Sequence, residues 1–134
     1  MTPRTVLEGE ADVRAAVGTD LGTTDWYTVT AGQLAAFAEA TGDPDATYLS
    51  VSLSNMFLPQ IVEVHGFAMG VNYGTEAVVL ASVVKADDRL RANAKLTDVT
   101  DVRGGIQTRM TIVVESEAAG PTCTIESLSR WLHG

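Results

Sequence analysis

Basic residues, histidine and cysteine are all scarce in this 134-residue chain, and each scarcity closes off a class of chemistry. Nine Lys and Arg stand against 17 Asp and Glu, a formal net charge of −8, so the surrounding field repels phosphate backbones and anionic lipid heads. Nucleic acid is therefore not an expected partner. The single cysteine, Cys123, can form neither an internal disulfide nor a multi-thiolate zinc site, which points to a reducing, cytoplasmic setting. The only histidines, His65 and His133, do not furnish a multi-histidine metal site. Asp43-Pro44-Asp45 reads as a turn with a helix-ending aspartate rather than a cation site, so no metal and no cofactor is expected. The longest hydrophobic stretch, Ala77 to Val84, is too short to span a bilayer, and the first 20 residues lack the apolar core of a signal peptide. There is no Gly-rich phosphate cradle, no G-x-S-x-G elbow and no H-E-x-x-H pair.

What is present is enough apolar sequence, 46% of residues, to build one core in a chain of this length. Residues 1–12 mix charge with Pro3 and Gly9 and read as a loose arm before a single domain over 13–134. Thr30 and Gln33 have the spacing of a capping box, in which each side chain satisfies the other's free backbone amide. A helix is predicted to start there, with Leu34, Phe37, Ala38 and Thr41 on one face, and to end at Gly42, the residue best able to adopt left-handed backbone. Asp43 to Pro59 is ambiguous: Leu49-Ser50-Val51-Ser52-Leu53 alternates as a strand does, yet Leu49, Leu53, Met56 and Phe57 share a helical face. Beyond Gly74 the pattern is of strands. Thr75 to Val84 is rich in Val, Arg89 to Thr100 and Ile106 to Val114 alternate on either side of Gly104-Gly105, and Thr122 to Leu132 alternates again. Helices followed by antiparallel strands define an α+β domain with helix packed on one face of a sheet.

Four motifs stand in a fixed order: Gly22-Thr-Thr-Asp-Trp26, Thr41-Gly42-Asp43 at the helix end, Met69-Gly70-Val71-Asn72-Tyr73-Gly74, and Val83-Val84-Lys85-Ala86-Asp87-Asp88-Arg89-Leu90-Arg91. Together they resemble the MaoC-like dehydratase family, and within it the NodN-like branch, from about Val13 to the C-terminus. The resemblance implies a hot-dog fold, a central helix wrapped by an antiparallel sheet, paired into a dimer with the sites at or near the subunit boundary. It also implies substrates that are acyl groups on coenzyme A or an acyl carrier protein, hydrated or dehydrated by an aspartate and a histidine five residues later. Such a pair must orient and deprotonate water and deliver a proton to carbon while backbone amides polarise the thioester carbonyl.

Asp43 matches the family aspartate, but Tyr48 stands where the histidine is expected. The chain then runs almost at once into the Leu49–Leu53 segment, which resembles the middle of the family's central helix, so the substrate-binding overhang and Gly-rich helix entrance are missing from the pattern. A tyrosine, with a free pKa near 10, can donate a proton or hydrogen bond but is a poor general base at neutral pH. His65-Gly66 belongs by position to the loop beyond the helix and inherits no family role. The expected site is thus Asp43 and Tyr48 as the catalytic pair, with Asn72, Tyr73, His65 and Ser52 as candidates to contact substrate. Each has a purely structural alternative: a turn aspartate, a core-edge tyrosine, a bend cap, a boundary tyrosine, a loop histidine and a helical serine bonded one turn back. The function this implies is a diverged enzyme acting on a hydrophobic acyl-thioester or polyketide-type intermediate by dehydration, isomerisation or cyclisation, as a homodimer without cofactor. A non-catalytic partner subunit of a heteromeric dehydratase, or a binder of small hydrophobic ligands, are the alternatives.

Overall fold

The computed structural model describes residues 3–134. In order these form β1 (Thr5–Glu8), α1 (Gly9–Ala15), β2 (Asp20–Thr23), β3 (Tyr27–Thr28), α2 (Ala31–Thr41) and α3 (Leu49–Ile61). Then follow β4 (Val62–His65), β5 (Met69–Leu80), β6 (Arg89–Val102), β7 (Gly105–Ser116) and β8 (Gly120–Leu132). Six strands make one antiparallel sheet in the order β2-β6-β7-β8-β5, with β3 also paired to β6, and β1 lies parallel to β4 in a separate pair.

The 43–59 ambiguity resolves as helix from Leu49 onward. Leu49, Leu53, Phe57 and Ile61 recur every four residues and are all buried, so a helix hides one continuous stripe where a strand would split them between two faces. That stripe lies on the inner face of the sheet, chiefly on β6 and also on β7 and β8. On β6 the inward residues are Leu90, Ala92, Ala94 and Leu96, all fully buried, and the two alanines let the helix approach closely. β7 alternates buried and half-buried along its whole length, with Ile106, Met110, Ile112 and Val114 facing in. Pro59 sits in the last turn of α3 and has no N–H to offer the Asn55 carbonyl.

Two glycines at the β6–β7 turn do separate jobs. Gly104 has φ 84°, which an L side chain adopts only at a cost, whereas Gly105 already opposes Val102 in the ladder. A Cβ on Gly105 would fall on the carbonyl of Trp131. At the end of α2, Gly42 takes φ 73° and returns its N–H to the Ala38 carbonyl. The Thr30 hydroxyl caps α2 by accepting from Gln33 N at 3.1 Å. The reciprocal half of the expected box is not made, because the Gln33 side chain instead accepts from the Tyr27 hydroxyl at 3.2 Å.

Three expectations are corrected. From Thr5 onward the supposed arm is a strand and a helix: β1 pairs with β4, Leu7 is buried, and Val13 of α1 is wholly enclosed. Met1 and Thr2 lie outside the described residues. The strand expected from Thr75 starts at Met69, because the Met69–Gly74 run pairs with β8 across bulges at Asn72/Gly74 and Thr75/Ala77, and it ends at Leu80 rather than Val84. His65 is not in a loop; it closes β4, which continues directly from α3. No described helix is long and apolar enough to cross a membrane.

Candidate active site

A cleft of about 320 Å³ opens between α3 and the inner face of the sheet. The helix presents Ser52, Asn55 and Leu58 to it. Ile112 and Ile125, opposite one another in the β7–β8 ladder, supply an apolar floor. The next inward positions along β8 are Ser127 and Ser129, since strand side chains alternate faces, and their partners on β5 are Thr75 and Asn72. The Asn72 amide donates to Asn55 Oδ1 at 3.4 Å, joining the two walls. Among the described residues the hydroxyls of Ser52, Thr75, Ser127 and Ser129 have no protein hydrogen-bond partner, and no side chain lining the cleft is ionisable. A second hollow of about 300 Å³ lies between α2 and the turn before α3, lined by Leu34, Ala38, Ala46 and Val84, with Asp45 beside them.

Of the six residues singled out from sequence, the structure brings two, Ser52 and Asn72, to this cleft. The Ser52 hydroxyl makes no bond back along its helix, although that of Ser54 does, donating to the Val51 carbonyl at 2.6 Å. Asp43 is partly buried and bonded within its own turn: its carboxylate accepts from Thr47 N at 2.7 Å and from the Thr47 hydroxyl at 3.3 Å. It shapes the entry to α3 and lines neither hollow. Tyr48 caps α3, is 54% exposed, and its carbonyl accepts from Ser52 N at 2.9 Å. It stands one turn before Ser52 at the head of the helix and is not among the residues that line the cleft. No hydrogen bond joins Tyr48 to Asp43.

The remaining two lie elsewhere. Tyr73, on the bulged part of β5, is exposed and covered by the Arg130 guanidinium at 3.7 Å from its ring centre. His65 contacts Glu8 through Nδ1 at 3.1 Å and Glu63 through Nε2 at 3.5 Å, clamping β1 to β4. His133 stacks on Phe67 with ring centres 5.1 Å apart. Neither imidazole lines the cleft. Cys123 is buried against α3, where Ser50 hydrogen-bonds it, and burial pushes the thiol above its ordinary range, so it is an inert core group. Thr75, Ser127, Ser129 and Asn55 were not picked out from sequence. The signal available was the pair of serines at inward positions of the Thr122–Leu132 alternation, where apolar residues are the rule.

The 3-hydroxyacyl-thioester dehydratase Z of Mycobacterium tuberculosis is 31% identical over 147 residues, covering 94% of this chain and 97% of that protein. The chain belongs to the MaoC-like dehydratase family. The match takes in about 126 residues of this chain but 147 aligned positions, so about 20 positions of the relative have no counterpart here. No family model matches the sequence. Among solved structures, the R-hydratase PhaJ1 of Pseudomonas aeruginosa superposes with a TM-score of 0.66 at 16% identity, over 88% of this chain and 83% of the other. A MaoC-like dehydratase from Rhodospirillum rubrum gives 0.64 at 13% identity, over 89% and 94%. The ChsH1-ChsH2 complex of M. tuberculosis gives 0.63 at 13%, over 86% and 97%. These likenesses establish the fold as the α+β hot-dog, α3 being the central helix.

Proposed function

We propose that this MaoC-like protein takes an acyl-thioester or polyketide-type intermediate, carried on coenzyme A or an acyl carrier protein, into the cleft between α3 and the sheet. There it dehydrates, isomerises or cyclises the chain rather than hydrating a 2-enoyl thioester. The observation that carries this reading is the cleft itself: it is open, hydroxyl-lined and without any ionisable lining group, while both imidazoles are held away from it. Hydration of a simple 2-enoyl thioester needs a base to take a proton from water, its reverse needs one to take the α-proton, and a phenol is poorly suited to either near neutral pH. Dehydration here is therefore confined to chains whose own keto groups acidify the proton that is lost. Tyr48, exposed at the head of α3 one turn before Ser52, is the group to which we assign donation of a proton or hydrogen bond; Asp43 anchors the turn that presents it. The unmatched positions of the relative fit the loss of the overhang and helix entrance that the motif spacing implies, which leaves this end of the cleft open to a bulkier substrate.

The protein works on this reading as a cytoplasmic homodimer. A second reading, a non-catalytic subunit that completes the cleft of an active homologue, is favoured by the same lack of an internal base together with the long unpaired edge of β5. Crotonyl thioester hydration by the purified protein is expected to be negligible, and Tyr48→Phe is expected to lower turnover of its own substrate at least tenfold, with Asp43→Asn lowering it less. Brisk crotonyl hydration, or unchanged turnover in both variants with circular dichroism intact, refutes the assignment. Turnover that appears only on mixing with an active homologue supports the second reading.

A further inference from the structure

The inner face of a sheet beneath a covering helix is ordinarily apolar, and here it is so up to the rung of Ile112 and Ile125. The next two rungs break the rule together. Thr75 opposes Ser127, Asn72 opposes Ser129, and the helix wall facing the same space offers Ser52 and Asn55 rather than hydrophobic caps. The two sheet rungs are separated by roughly 7 Å, two residues of extended chain. Apart from the 3.4 Å Asn72–Asn55 bond, these side chains leave their donors and acceptors open to the cleft.

A plain alkyl chain laid along such walls strips water from the hydroxyls and gives nothing back, and a polar group left buried and unpaired weakens binding. A chain with its own hydroxyl or keto groups restores those bonds while still resting on the isoleucine floor. The absence of charge in the lining disfavours an anionic or cationic chain just as clearly. From this we infer that the cleft selects acyl chains carrying neutral oxygen functions well beyond the thioester, and that Thr75, Ser127 and Ser129 are its specificity-determining residues. The inference rests on the proposed function, because it assumes that the cleft receives the acyl chain.

The test uses the full-length protein and N-acetylcysteamine thioesters of equal chain length: octanoyl, 5-hydroxyoctanoyl and 5,7-dioxo-octanoyl, with binding measured by calorimetry. The oxygenated thioesters are expected to bind at least tenfold more tightly than octanoyl. In Ser127→Ala/Ser129→Ala that preference should fall severalfold while octanoyl binding holds or improves, with the thermal melt checking the fold. If octanoyl binds as well as the oxygenated chains, or if the preference survives in the double variant, the inference is wrong although the acyl-thioester reading stands. If none of the thioesters binds, both fall.

Discussion

Asp43 shows how a residue can fit a family motif and still be occupied structurally. Both carboxylate oxygens are taken by Thr47, so its first task is to hold the short turn that delivers Tyr48 to the head of α3. Cys123 is the clearest titrating group of the core. Burial raises the folded thiol, whereas in the unfolded chain it ionises near 8.5. Below that value the thiol is neutral in both states and contributes no pH dependence. Above it the unfolded chain loses its proton first, so stability falls with rising pH until the folded thiol ionises as well. Thermal melts from pH 8 to 11 are expected to show a decline that is shallower in Cys123→Ala, whatever the variant's overall loss of stability. Equal slopes would show that the thiol is not held neutral. The alternating pattern already reads Cys123 as an inert core thiol of the last strand, and the packing of α3 over β8 supplies the burial that holds it neutral.

At the scale of elements, glycine substitutions separate strain from collision. Gly42→Ala leaves open space around the new methyl and has only the left-handed backbone to contend with, which predicts a loss of about 1 kcal/mol. Gly105→Ala drives a methyl into the Trp131 backbone, which cannot swing aside as a side chain would, and should cost at least about 3 kcal/mol or prevent folding. Urea titrations of the two variants check the order; a milder effect at Gly105 would mean that the β7–β8 pairing yields easily. The paired glycines were legible as a hairpin signal. Which of them turns the chain and which admits a neighbouring strand was not, because the second role depends on a residue 26 positions later. In the same way the 3.6-residue period located α2 and its caps, while α3 was undecided until the sheet supplied a surface for Leu49, Leu53, Phe57 and Ile61 to cover.

At the scale of the whole molecule, β5 is the edge of the six-stranded sheet and presents Val71, Tyr73 and Val79 to solvent along 12 residues. An apolar edge of that length is an aggregation hazard unless something pairs with it, and a second copy of the chain is the occupant the homodimer reading requires. Val71→Lys/Val79→Lys is expected to yield a folded monomer by light scattering, with the unaltered protein a dimer at micromolar concentration. A dimer that persists in the double variant would place the subunit contact elsewhere. The net charge of −8 keeps copies apart at long range, so such pairing must come from short-range backbone and apolar contact, and it should tighten as salt screens the repulsion.

The span and caps of α2, the strand character of β6 to β8, the α+β class and the family were determined by sequence alone, because hydrophobic period, turn chemistry and short motifs are local properties. Tertiary structure decided what local pattern could not. It paired β1 with β4 beside α1, set His65 between two glutamates away from the cleft, and brought two serines of β8 to face the central helix. Those outcomes depend on which distant segments meet, and side-chain alternation does not record its own neighbours.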